Sequence, residues 1–584
     1  MAGPKRRSEE RAASPTIREV DDGGSDVTET SRLLGPAGYG AGKDGWDNDA
    51  DFQHLPWWRR PSVFWLLGPY AVFALAFGGI IVPKLNLILD LVCRQYFADR
   101  QLIDPHFTYK PIVLGSDNPQ CNIPQVQRNV ATFMLSLNLV IGGLSAVVLP
   151  KLGQLSDRHG RRKLMALASC GGLLSEVITI LCAKYPQAFD YRWMILGAVF
   201  DGITGSFTAG SILSQSYTSD CTPPSKRAVS IGYIHACLFT GLALGPLLAG
   251  YFVKWTGTLV SIFYVALGCH VFFILIVRFV LPESLSKRRQ LLARDKLARA
   301  EAERERDASG RRPSRPSHNP FETLKILWPT GPGTSPRLRI NLVALAIADT
   351  IIMGSMMAVG NVLMLYSEFK FGWGNFETSR FVSSLSMIRV AVLMVIFPII
   401  NYVFRTRPAA RRQRESGAPL VEKNSGADRL DVWVLRFALV SDVLGCVGYT
   451  LSRNQHLFFA SGMVTAVGGL GSATVQAAVT KHVPSARVGQ VLGAVGFMQA
   501  LSRVVGPAMF NSLYAMTVGT FPQAIFLLLG GLYFVGLVCA FILKPHVHWE
   551  DVGEEDEEPS DPTSGRFDDS AAQLLSAAEE SNFM

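Results

Sequence analysis

The chain has 584 residues, of which 48% are hydrophobic and only 18% are charged, with a mean hydropathy of +0.23. Soluble domains carry about a quarter charged residues, and here the charge is clumped between long apolar stretches, which excludes an ordinary water-soluble protein and indicates a polytopic membrane protein. The net charge of +9 does not call for a nucleic-acid partner, because the basic residues lie in short loops beside apolar segments while the C-terminal end is acidic.

Residues 1–60 are polar, contain Lys5, Arg6 and Arg7 among many acids, and read as a disordered cytosolic tail without a cleavable leader. Within it, Glu29-Thr30-Ser31-Arg32-Leu33-Leu34 fits an acidic dileucine sorting pattern, which points to a vacuolar or lysosomal membrane, with the plasma membrane as the alternative. About twelve spans follow, near 63–83, 129–149, 164–183, 193–213, 229–253, 258–281, 340–365, 381–403, 432–452, 457–479, 491–515 and 522–543. Each approaches the roughly 20 residues needed to cross the hydrocarbon layer. The expected class is therefore all-α, with two six-helix halves at 61–283 and 338–544, a cytosolic linker at 284–337 and an acidic cytosolic tail at 545–584.

Lys and Arg set the orientation. The second gap holds Lys151, Arg158, Arg161, Arg162 and Lys163; the fourth holds Lys226 and Arg227; the sixth opens Lys287-Arg288-Arg289; the eighth holds Arg405, Arg407, Arg411, Arg412 and Arg414. Both termini are expected on the cytosolic side. The start of the sixth gap, rich in helix formers, predicts a cytosolic helix, and the eighth gap reads as a flexible basic loop. Pro224-Ser225-Lys226-Arg227 before span five recurs as Pro484-Ser485-Ala486-Arg487 before span eleven, and each is followed by Gly-Pro, at Gly245-Pro246 and Gly506-Pro507. Matching elements in two halves fit a duplicated transporter.

The second gap reads Gly153-Gln154-Leu155-Ser156-Asp157-Arg158-His159-Gly160-Arg161-Arg162-Lys163. It resembles the signature loop of the major facilitator superfamily. Gly153 would allow close helix approach, Asp157 would serve a helix N-terminus and pair with an Arg, and the basic run would anchor the loop. Gly241, Gly245, Pro246 and Gly250 in span five, with Ala249 replacing one glycine, are similar to the motif of antiporter members; generic small-residue packing is the other reading. Leu281-Pro282-Glu283-Ser284 is similar to the ending of the first half in many members. Span four carries Asp201 where drug/proton exporters carry an Arg, and this acid, with the Cys93 and Cys121 loop, resembles the proton-coupled folate transporter group in a fungal form.

Charges inside spans are expensive and should face a cavity or a partner. Asp201, Asp349, Arg389 and Arg503 fall on spans four, seven, eight and eleven, which line the cavity in the superfamily. The acids are candidate proton carriers and the arginines candidate anchors for an anionic group; fixed ion pairs are the alternative. Glu176 and Asp442, on spans that are peripheral in the family, read as structural pairs that also qualify for proton coupling, and His235 as a relay or a satisfied core histidine. Lys84 reads as a snorkelling residue. Cys93 and Cys121 lie on the non-cytosolic side and are a possible disulfide; the other reading is two free thiols. No cysteine pairing or nucleophile–base constellation indicates a metal, a cofactor or an enzyme. The resulting expectation is a monomeric secondary transporter in the lipid bilayer, exchanging a small-molecule substrate with protons by alternating access, in the export direction. Proton-coupled uptake and a non-transporting receptor or scaffold on the same fold are the alternatives.

Overall fold

The computed structural model describes residues 52–550 apart from 296–297, 299–319, 417–424 and isolated loop positions (53, 105, 107, 113, 115–117, 122, 332 and 374). The sorting pattern at Glu29–Leu34, nearly all of the N-terminal tail, the acidic run of the C-terminal tail and much of the linker lie outside the described residues.

The described residues form helices without a strand. Spans one, two and three are Val63–Ile103, Pro124–His159 and Arg161–Lys184. Span four is two helices, Met194–Ile203 and Ser206–Cys221. Spans five and six are Pro224–Thr256 and Val260–Leu275, the latter extended by a π turn at Ile276–Val280. Span seven is Pro336–Phe371, and span eight runs from Asn375–Ala391 through π turns into Phe397–Asn401 and Arg407–Ser416. Span nine is Arg429–Leu451; span ten is split into Gln455–Val467 and Gly469–Lys481; spans eleven and twelve are Val488–Thr517 and Ala524–Ile542. Eleven helices in the described residues are long and apolar enough to cross a membrane. Span nine stands outside that set and carries Asp431, Arg436 and Asp442 along its length.

Two elements differ from expectation. Span one continues for 20 residues past 83 as a single helix of 41 residues. Its outer part buries Leu87, Ile88, Leu91, Val92 and Phe97 in a second core with Val126, Val130 and Phe133 of span two, so packing rather than lipid sustains the helix there. Cys93 and Cys121 are joined by a disulfide in this outer layer, beside Asn118, whose amide donates to Asp90 Oδ1 at 2.9 Å. The eighth gap is helical as far as Ser416, where helix-forming residues and an Arg411–Glu415 pair at 3.0 Å one turn apart replace the expected loop. In the sixth gap, residues 287–295 are helical as expected.

The halves meet along two seams. Span two packs along span eleven, and span five along spans eight and ten. Glycines permit the closest approaches: a Cβ on Gly153 would overlap the Gly489 carbonyl oxygen and lie 3.1 Å from Gly493 Cα. Within the first half, Gly241 and Gly245 pack on the backbone of span one at Ala74 and Gly79, whereas nothing lies within 4 Å of a Cβ built on Gly250. The span-five motif is thus a packing surface over two of its three glycines, and Pro246 lies inside a continuous helix.

Candidate functional site

Spans four and ten are broken at corresponding places in the two halves. Discontinuous spans free backbone groups near mid-membrane and mark binding sites in secondary transporters. The break in span four passes through Thr204, Gly205 at φ 84° and Ser206 at φ 57°. A serine with positive φ is held there by its surroundings: its hydroxyl donates to Asp201 Oδ2 at 2.8 Å. Span ten breaks at Gly468, where a side chain would collide with the Asp442 carboxylate. Asp442 faces Arg389 electrostatically, and the Arg389 guanidinium rests over the Phe239 ring at 5.0 Å.

A cavity of about 40 Å³ lies between the halves, lined by residues of spans four, five, seven, ten and eleven that include Phe207, Phe239, Met353, His235 and Arg503. Arg503, from the second half, donates to Thr208 Oγ1 in the first turn after the span-four break at 2.9 Å and acts electrostatically on Asp201. Deeper, Asp349 is fully buried; Gln499 donates to its Oδ2 at 2.7 Å, while Oδ1 has no hydrogen-bond partner. His235 Nδ1 lies 2.9 Å from Ser472 Oγ, and Gln476 faces both His235 and Asp349. Asp201, Asp349, His235 and Arg503 therefore belong to one polar seam between the halves. Asp442 and Arg389 form a second group at the span-ten break. Glu176 stands apart, in the first half, with Lys84 Nζ at 3.7 Å from its Oε1. Lys84 does not snorkel: it turns inward to this acid.

At the end of the bundle that carries the signature loop, Arg161 is fully buried between Asp157 at 2.6 Å and Asp220 at 2.9 Å. Asp157 sits against Gly489 at the start of span eleven, where a carboxylate complements the exposed N–H groups and the helix dipole. Glu283 accepts from the Arg161 and Arg162 backbone N–H groups at 2.8 and 3.2 Å. It caps span three at Gly160, whose φ of 89° and contact with this carboxylate require glycine. Burial pushes the Glu283 carboxyl up from its ordinary range, against the lowering effect of these N–H groups. The rest of that segment is also used: Ser284 donates to Asp220 at 3.2 Å, Arg162 to the Leu281 carbonyl at 3.2 Å and Tyr217 to the Pro282 carbonyl at 3.1 Å. Of the other signature residues, the Arg158 carbonyl accepts from Arg294 at 3.1 Å, and Lys163 is exposed on the first turn of span three.

The second half repeats this arrangement with the signs reversed. Asp431, at the start of span nine, is buried between Arg405 at 2.8 Å and Lys481 at 2.5 Å. Arg405 also pairs with Asp428 and reaches the Ser225 carbonyl at the start of span five at 2.7 Å. Each half thus presents a buried three-charge group to the other half: minus–plus–minus on span eleven, plus–minus–plus on span five. Beside the second group, His482 is fully buried, with Nδ1 against the Ala478 carbonyl at 2.7 Å and Nε2 against the Asn341 amide at 3.2 Å. Burial pushes this imidazole down to about 4. Residues after span twelve strap across it, with Trp549 N–H on the His482 carbonyl at 2.9 Å and the Trp549 ring 4.1 Å from the Arg487 guanidinium.

Sequence reasoning passed over Asp220, Asp431, Lys481, Gln499 and His270. Asp220 and Lys481 lie at span ends, where charge is ordinary, and their pairing needs the fold. His270, a lone histidine in an apolar span, was the one visible signal.

The Major Facilitator Superfamily model matches residues 109–414 and 427–578. The chain belongs to this superfamily. Among relatives of this superfamily member, it is 28% identical to the MFS-type transporter avaJ of Aspergillus versicolor, over 81% of this chain and 86% of that one. It is 23% identical to the class C tetracycline resistance protein of Escherichia coli, over 66% and 81% of the two chains. The human organic anion transporter MFSD10 shares its fold at a TM-score of 0.59, with 16% identity, covering 83% of this chain and all 100% of that one. The protein is a multi-pass membrane protein with the architecture of a secondary transporter.

Proposed function

We propose that this protein exports a small organic solute in exchange for protons, with the solute held between the halves at Arg503 and the protons exchanged at Asp201 and Asp349. The observation that carries the reading is the contact of Arg503 with Thr208, beside Asp201, at the break in span four. A guanidinium from one half there faces an acid of the other, so neutralising the acid, or supplying an anionic group from a solute, changes the attraction between the halves. Phe207, Phe239, Met353 and Met356 give the same cavity an apolar wall for the body of the solute. At about 40 Å³ the space holds about one water molecule, so a solute enters only when the halves rock apart. The three-charge groups then hold one end closed and release it. The basic loops support a cytosolic position for that end and for both termini. The relatives named for tetracycline resistance support export.

The test uses vesicles containing the reconstituted protein, a pH dye and an imposed proton gradient. Tetracycline, folate and fluorescein, as an organic anion, are offered as solutes. Solute-dependent proton flux, lost in Asp201→Asn or Asp349→Asn and with solute affinity reduced in Arg503→Ala, is the expected result. Solute equilibration at equal rates in wild type and both acid variants would sink the coupling assignment. Flux of the opposite sign would make the protein an uptake carrier.

A further inference from the structure

A second cavity, of about 110 Å³, is lined only by residues of the first half, from spans one, three, four and six. At about 30 Å³ per water molecule it has room for three or four waters. Its charged and titratable lining is Lys84 from span one, Glu176 from span three, Asp201 from span four and His270 from span six. Ser169, Ser175 and Ser206 supply hydroxyls.

Glu176 is 3% exposed. Its Oε1 lies 3.7 Å from Lys84 Nζ, and its Oε2 has no hydrogen-bond partner. One oxygen of this buried carboxylate is thus loosely paired and the other is bare. His270 Nδ1 lies 3.2 Å from the Ala266 carbonyl. A carbonyl only accepts, so Nδ1 carries the hydrogen and Nε2 keeps a lone pair. That lone pair points toward span three at Gly172. A Cβ there would lie 3.2 Å from His270 Nε2 and 3.9 Å from Asp201 Oδ1, so the glycine leaves open the space where these two atoms and cavity water meet. The ring is steadied edge-on against Phe73 at 5.4 Å. Glu176, Asp201 and Lys84 are the charged groups that act on His270, and Arg503 acts on Asp201 from the other half.

We propose that this cavity is a proton-binding site, separate from the solute cavity, with Glu176 as the entry acceptor and His270 as the relay to Asp201. A proton from cavity water binds Glu176 Oε2, neutralises the carboxylate and frees the Lys84 ammonium from its ion pair. Through water the proton passes to His270 Nε2, and Glu176 returns to its ionised form. The imidazolium releases the proton from the same nitrogen to Asp201 Oδ1 and becomes neutral again. Neutral Asp201 no longer offers a full negative charge to the Ser206 hydroxyl or to Arg503. Phe207, the next residue after the strained Ser206, lines both cavities and stacks on Phe77 at 4.5 Å. A change at the span-four break therefore moves the wall between proton and solute. This inference rests on the proton-driven reading above.

Infrared difference spectra of the full-length protein in vesicles, recorded between acidic and alkaline pH, test the site directly. The expected result is a set of protonated-carboxyl bands, among them one band of Glu176 that is missing in Glu176→Gln and present in Asp442→Asn. In Lys84→Met the same band should titrate at higher pH, because the cation favouring the carboxylate is gone. That variant keeps the carboxylate in place and remains decisive if Glu176→Gln does not fold. A set of bands unchanged in Glu176→Gln, or a Glu176 band whose midpoint ignores Lys84→Met, overturns the site. Solute-linked proton flux without the band overturns the site alone. The band without any such flux overturns the exporter reading and, with it, the driving role given to the cavity.

Discussion

Gly153→Ala probes the seam between spans two and eleven. The added methyl would overlap the Gly489 carbonyl oxygen and come within 3.1 Å of Gly493 Cα. Both are backbone, so neither rotates aside, and the helices must separate by about 1–2 Å to reach ordinary contact near 4 Å. Overpacking of this kind costs about 1–3 kcal/mol. The strain exists only while the signature-loop end is closed, and separation also withdraws Asp157 from the start of span eleven. The population should shift toward the form open at that end by roughly 5- to 150-fold, at about 1.4 kcal/mol per factor of ten. Spin labels on exposed residues at the signature ends of spans two and eleven, read by pulsed dipolar spectroscopy, would report the shift as a longer distance component. An unchanged distance distribution in a folded variant would refute the reasoning, because it would mean that the seam does not separate in the transport cycle.

Three further outcomes follow from the charge groups and the outer layer. Asp431→Asn leaves Lys481 and Arg405 buried without their shared partner and should lower stability by about 3–5 kcal/mol; thermal unfolding in detergent reads the loss, and adding Lys481→Met should recover part of it. Neutral His482 contributes its full share at pH 7; as pH falls from 6.5 to about 4, the released chain takes a proton that the folded site refuses, and the strap loses about 3 kcal/mol at 1.36 kcal/mol per pH unit. Limited proteolysis after residue 543 should accelerate over that interval in wild type and not in His482→Gln. Replacing Cys93 and Cys121 by Ser opens a loop with a sequence separation of 28 residues and should cost about 3 kcal/mol of ordering there, seen as faster hydrogen exchange in the outer layer with solute flux retained.

The spans were legible because lipid demands long apolar helices, and the signature loop because its residues act locally. The outer half of span one was not, since hydropathy measures contact with lipid, and Leu87, Ile88, Leu91 and Val92 are buried by protein. Their spacing of three and four residues was nevertheless a helical signal. The breaks in spans four and ten were foreshadowed only by Gly202, Gly205, Gly468 and Gly469, and glycines are common in membrane helices. Asp201 and Arg503 could be picked by depth, but their placement at one break could not. Glu176 reads in the sequence as a structural pair that also qualifies for proton coupling; it pairs with Lys84 and also lines a cavity. Partners drawn from spans one, three, four and six meet only through tertiary packing, which no local pattern encodes.

Span one, at 41 residues, is about 60 Å long at 1.5 Å per residue, roughly twice the hydrocarbon thickness. It is therefore a lever as well as a wall of the first half. A rocking of about 10° about the membrane midplane, of the order seen when domains rotate, would carry a point about 30 Å beyond the pivot through about 5 Å. The disulfide ties that outer arm to the loop before span two, so the loop must travel with it. The outer end magnifies motions at the buried breaks, and a label placed there would register them from outside the membrane.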